Sequence, residues 1–285
     1  MKEFITSDFA RIPRSLQFLS RWKATELRLF LLYVGIVALK GNVKTEVYQL
    51  FSLLFVASRI IASKELSLDS QLLDYAEKLL CSFVKHSADN SVLGPTFVTI
   101  NVHNLLHLVD DVRKFGSINE FDAFPFENHL RIIRGMMRSG VKVARQMVNR
   151  LSERDLCYKA SILKESKLTP LQYDRVANEY ACLSSSSFTV SAVKKRDSYF
   201  FTDHSICHLR KITKRGDSVT IVADCCDDTQ SFFTYPTDSR LVGVFKINRQ
   251  QTRKKVEMCI DDIKGKVMVL PHGDERIAIK LVHTI

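Results

Sequence analysis

The residues able to do chemistry cluster within 101–150. His103 and His107 stand at i and i+4 in an apolar helical pattern, so their imidazoles share one helix face. That spacing can supply two of the four ligands of a structural zinc site. Glu127 follows a short irregular stretch and begins a further helix. Arg131, Arg134, Arg138, Lys142, Arg145 and Arg150 come next, and no acidic residue intervenes between Arg131 and Arg150. Arg131, Arg134 and Arg138 recur at helical spacing, and a stripe of this kind suits a phosphate backbone because arginine forks onto phosphate oxygens.

Each feature also has an ordinary reading. A His pair without two visible partners is compatible with a purely structural role. Glu127 suits the N-terminal end of a helix dipole, or an i,i+4 pair with Arg131. The Arg/Lys run is compatible with a solvated helix face.

The elements that must hold these residues follow from periodicity. The segments 22–39, 43–62, 68–86 and about 99–114 read as helices, the last stopped by Gly116, with a loop at 88–95. The loop FDAFPF leads into a basic helix from Glu127, interrupted at Ser139-Gly140, with a second basic helix over 141–153. Four serines at 184–187 and Lys194-Lys195-Arg196 mark a linker over 182–196. Beyond it the period changes to short runs rich in Val, Ile, Phe and Thr, such as SVTIVADC and KVMVLP, divided by turn residues. The expectation is an α+β chain: an all-α helical domain over 1–181, the linker, and a small antiparallel, barrel-like β domain over 197–285.

Composition narrows the partners. The 285-residue chain carries a net charge of +11, which favours a polyanion, nucleic acid before membrane. The apolar run Leu29–Leu39 lies between Arg28 and Lys40 and is too short to span a bilayer. Seven scattered cysteines without a Cys-x-x-Cys suit a reducing compartment rather than a secreted disulfide framework. Cys225 and Cys226 should point to opposite faces of a strand, which argues against their joining His204, Cys207 and His208 around one metal ion.

The stretch NVHNLLHLVDDVRKFGSINEFDAFPFENHLRIIRGMMRSG resembles the C-terminal segment of CACTA (En/Spm) cut-and-paste DNA transposases and their animal relatives. The upstream SLQFLSRWKATELRLFLLYVGIVAL and the β tail are similar to the flanking parts of animal members, so the resemblance extends over most of the chain. It implies that Glu127 is the third metal-binding carboxylate of a DDE active site. His103 and His107 would be half of a zinc site, and residues 1–181 the insertion helices plus the end of the catalytic core. The departures are that no Cys-x-x-Cys completes the zinc site and that no strand-borne aspartates precede residue 100. Asp110 and Asp111 lie on the His-bearing helix. One carboxylate cannot hold a catalytic metal pair.

The expected function is therefore a transposase-derived, DNA-associated protein without nuclease activity of its own. Arg131, Arg134, Arg138, Lys142 and Arg145 would contact DNA phosphates, and a full-length transposase relative is a further partner. No cofactor is expected for the chain alone, with Zn and Mg or Mn only if missing segments complete the sites. No membrane partner is expected, and the location is nuclear, otherwise cytoplasmic, and not secreted. The alternatives are a protein-interaction or regulatory module and an active metal-dependent transposase or nuclease.

Overall fold

The computed structural model describes residues 2–137, 140, 142–159, 168–174, 178–185, 187–215, 218–247 and 254–282. α1 (Ala24–Leu29) runs through a π-helical turn, Phe30–Val34, into α2 (Gly35–Leu39). α3 (Thr45–Ala62) and α4 (Ser70–Ser87) follow. Gly35 sits where α2 meets α3: a Cβ there would lie 2.6 Å from the Phe51 ring and 2.8 Å from the Phe30 carbonyl oxygen. Asp69 caps α4 by accepting hydrogen bonds from the Gln71 and Leu72 backbone N–H groups.

The helix expected over 99–114 is α5 (Ile100–His103), a 3-10 turn (Asn104–His107) and α6 (Leu108–Phe115). The tighter turn opens at Asn104, a weak helix former. Gly116, at φ +87°, ends α6 where its lack of a side chain permits that conformation. α7 (Ile118–Phe121), α8 (Phe124–Met136) and α9 (Val143–Lys159) complete the helices. α8 begins before Glu127 because Pro125 suits the first helical turn.

The strands are β1 (Thr169–Asp174), β2 (Glu179–Ser184), β3 (Thr189–Ser191), β4 (Tyr199–Phe201), β5 (Ile206–Arg215) and β6 (Ser218–Cys226), then β7 (Gln230–Ser231), β8 (Val244–Ile247), β9 (Lys254–Cys259), β10 (Gly265–His272) and β11 (Glu275–Lys280). All pair antiparallel. The chain is thus α+β as expected, but the sheet does not close, so it is not a barrel. It branches at β5, which pairs with β6 on one side and with β4 and β2 on the other.

The expected linker is also corrected. Residues 182–191 include the end of β2 and all of β3, with Leu183 and Val190 fully buried. Ser185 and Ser187 lie in the turn of this hairpin. The Ser185 hydroxyl accepts from the Phe188 backbone N–H, and Ser184 and Thr189 pair across the strands at 2.9 Å. β1 and the first half of β2 lie within the stretch expected to be helical.

Period-two alternation explains how one sheet serves three cores. On β10, Met268 and Leu270 join the helical core with Leu53, Phe55 and Ile60, while Val267 and Val269 face a smaller cluster with Tyr199 and Cys226. On β11, Ile277 and Ile279 face the helices and Ala278 faces away. The third core holds Leu183, Phe200, Cys207, Leu209 and Ile212. A bulge between Leu209 and Lys211 shifts the register, so that Leu209 and Ile212 both face inward. α3 is long and apolar enough to cross a membrane, yet its apolar residues pack on α4 and on the sheet. The helices and the β10–β11–β8 layer therefore share one core rather than forming two separate domains.

Cys225 faces the third core and Cys226 the smaller cluster, the opposed arrangement that adjacent strand residues require. Cys207 and Cys225 stand directly opposite on β5 and β6, with Cα atoms 4.1 Å apart, and form a disulfide. Spacing in sequence conceals such a cross-strand register.

Near the N-terminus, Glu26 is buried at the start of α1. It pairs with Arg14 at 2.7 Å and accepts from the Lys23 backbone N–H at 2.8 Å. The Arg14 side-chain hydrogen bond first, and then the Lys23 N–H, hold its carboxyl down at about 2. A lowered folded-state value means that this contribution is complete above the unfolded value near 4.5 and is lost as pH falls toward 2. Glu26→Gln should therefore flatten the acid limb of the stability curve between those pH values, measured by urea unfolding. An unchanged limb would mean that the pair does not contribute.

Candidate functional site

The basic segment expected to meet phosphates lies on α8, the following turn and α9. Arg134 on α8, Lys142 in the turn at φ +51°, and Arg145 in the first turn of α9 are all exposed. Among the described residues, no carboxylate pairs with any of these three. Glu127 and Arg131 lie on α8, but their side chains are outside the described residues, as is Arg138 entirely. α8 ends at Met136, with Met137 as its C-cap.

The same helices expose large apolar side chains. Phe126 is 70% exposed, Leu130 63% and Val148 62%. Phe126 and Leu130 are one helical repeat apart on α8. Arg28 on α1 anchors the approach to α8, pairing with Asp122 at 3.0 Å and lying 5.0 Å from the centre of the Phe124 ring.

His103 and His107 are both exposed, with ring centres 5.7 Å apart. They remain neighbours although the chain between them is a 3-10 turn. Among the described residues, no three His, Cys, Asp or Glu side chains come together as a metal-binding group. His208 is instead stacked on Tyr199 at 4.5 Å, and Cys207 is in the disulfide. Asp110 is tied to Arg113, which also meets Asp74 and Glu77, so it serves a surface ion cluster on α4 and α6.

Two buried charged centres escaped the sequence reading. Lys266 on β10 is fully buried between Asp8 at 2.6 Å and Asp197 at 2.7 Å. Asp197 also accepts the Ser7 backbone N–H at 2.8 Å, so the centre fastens the N-terminal segment to the sheet. Burial pushes the Asp197 carboxyl up, but the Lys266 hydrogen bond, the Ser7 N–H and the Lys266 charge together leave it below the ordinary value. The available signal was a lysine inside the apolar run GKVMVLP, on a strand that proves buried on both faces.

Arg59 on α3 is the second centre. Its Nε and Nη2 donate to the Val242 carbonyl at 3.0 and 2.6 Å, and its Nη1 donates to the Lys280 carbonyl at 2.9 Å. The guanidinium also lies 5.4 Å from the centre of the Tyr33 ring. Burial pushes it down to about 10, so it stays cationic at neutral pH. It is a strap between helix and sheet, held by carbonyl oxygens and an aromatic face.

Compared with known proteins, residues 164–281 match the sequence model of a family described as a domain of unknown function (DUF8592). The match covers the sheet, from just before β1 through β11, and leaves the helices outside. No curated protein and no solved structure matches the chain.

Proposed function

We propose that this chain is a DNA-associated protein, derived from a cut-and-paste transposase, that holds duplex phosphates without cutting them. The observation that carries the reading is the set of exposed cations, Arg134, Lys142 and Arg145, on α8, its turn and α9, which have no carboxylate partner among the described residues. Arg131 and Arg138 extend the set in sequence. The resemblance of residues 101–140 to the CACTA transposase segment supports the same partner. Such contacts position a protein on DNA with little sequence preference. Glu127 is the single family-equivalent carboxylate, and one carboxylate does not hold the two metals that strand transfer needs. A full-length relative, supplying the remaining carboxylates, is the natural partner of such a protein.

The test is binding to a short fluorescent duplex at several salt concentrations, with Mg²⁺ present and the DNA checked for cleavage. Affinity should fall steeply with salt, and the DNA should stay intact. Changing Arg134, Lys142 and Arg145 together to Gln should weaken binding on the order of a hundredfold at low salt. It should also reduce the log–log salt slope by roughly 0.9 for each phosphate that is no longer neutralised. An unchanged slope would remove α8 and α9 from the footprint.

A second reading rests on the exposed Phe126, Leu130 and Val148. They offer an apolar face to a protein partner, with the cations as its rim. Absence of DNA binding at low salt would favour this interaction module.

A further inference from the structure

A cavity of about 430 Å³ opens beside the buried Asp8–Lys266–Asp197 centre. One wall is the N-terminal segment, with Glu3 and Phe4. The floor is the end of β10, with Leu270 and Pro271. The cations arrive from two directions: Lys195 and Arg196 from the turn after β3 and Arg276 from β11.

Their surroundings leave these cations available. Lys266 takes up one carboxylate charge of the Asp8–Asp197 pair, and Arg196 approaches the second oxygen of Asp197 at 3.7 Å. Among the described residues, Lys195 and Arg276 have no carboxylate partner. Arg276 is held in place by a neutral group: its Nη1 donates to the Tyr199 hydroxyl at 3.0 Å, and the Tyr199 ring is fixed by stacking on His208. The wall is fixed as well, because Ser7 and Asp8 are fastened to Asp197 and Lys266. The cavity is therefore preformed, within the size range of small-ligand sites, with Phe4, Leu270 and Pro271 giving it apolar surface and with three cations, Lys195, Arg196 and Arg276, against the single carboxylate of Glu3.

We infer that this cavity binds a small organic phosphate, its phosphate group between Lys195 and Arg276 and its apolar body against Phe4, Leu270 and Pro271. A phosphate monoester carries a charge near −1.5 to −2 at neutral pH, which matches two cations approaching from separate elements. Arginine contributes the fork and lysine the point charge. The site is distinct from α8 and α9 and does not depend on the DNA reading.

Phenyl phosphate is the probe, titrated calorimetrically into the full chain. Saturable one-to-one binding is expected. Inorganic phosphate and phenol should each bind at least about tenfold more weakly, because each forfeits one half of the site. Lys195→Glu, at an exposed position that leaves the core intact, and Arg276→Gln should each weaken phenyl phosphate about tenfold or more, with unfolding midpoints measured alongside. Binding that is absent in the parent chain, or unchanged in Lys195→Glu, would overturn the assignment. Displacement of phenyl phosphate by a short DNA duplex would overturn it too, since the cavity would then belong to a polymer footprint. Retention of the probe while duplex is bound elsewhere would support it.

Discussion

Lys266→Met is expected to lower the unfolding free energy by about 3–5 kcal/mol, because it leaves two buried carboxylates facing each other without a cation. Asp8 and Asp197 are almost fully enclosed, and Lys266 is the ammonium that lies between them. The sign of the pH dependence separates this cause from a packing defect. In the parent chain Asp197 titrates below its ordinary value, so its contribution is complete above the unfolded value near 3.9 and is lost as pH falls below it. In Lys266→Met the same carboxylates should titrate above their unfolded values. Their penalty is then greatest at neutral pH and is relieved as pH falls through the raised values. Between pH 7 and 4 the variant should gain stability while the parent holds level. Adding Asp8→Asn and Asp197→Asn to Lys266→Met should recover much of the loss. Parallel pH curves for parent and variant would show that the ion centre is not the source of the effect.

Arg59→Met should cost about 3 kcal/mol. The side chain satisfies the Val242 and Lys280 carbonyls, and leaving a buried polar group unpaired costs about 1–3 kcal/mol each. Relief of the buried charge offsets part of that sum. Arg59→Lys should fall between the two, since one ammonium cannot reproduce the fork to both carbonyls. Denaturant midpoints test the ranking. Trp22, in edge contact with Phe30 at 5.7 Å, gives a fluorescence signal from the helical side. Because the core is shared, that signal and the far-ultraviolet signal of the whole chain should move through one transition in the parent. A lysine variant as stable as the parent would discount the carbonyl fork.

The long helices were legible because α3 and α4 carry apolar residues at near-helical spacing, and Gly116 announces its own φ. The strands after 197 were legible as β-branched and aromatic runs between turns. The β2–β3 hairpin was not, because its serines read as linker composition, whereas Ser184 and Ser185 act as hydrogen-bonding groups between buried Leu183 and Val190. Closure of the sheet was also beyond the sequence: runs of strand specify alternation, whereas the branch at β5 depends on which long-range pairs form. The exposed Arg134, Lys142 and Arg145 follow from charge spacing, which needs no tertiary knowledge. Lys266 and Asp197 are 69 residues apart, and Asp8 is farther still, so local spacing could not bring them together.

The sharing of one core between the helices and β10–β11 also sets a timetable for synthesis. When α1 to α6 have left the ribosome, their sheet-facing apolar side chains still lack Met268, Leu270, Ile277 and Ile279. About 150 further residues must be added first, on the order of ten to thirty seconds at ordinary elongation rates. During that interval the nascent helical bundle carries an uncovered greasy face, and the segment around Asp8 waits for a lysine not yet made. Completion of this core must therefore wait for translation. The half-made chain is the species that chaperones must shield.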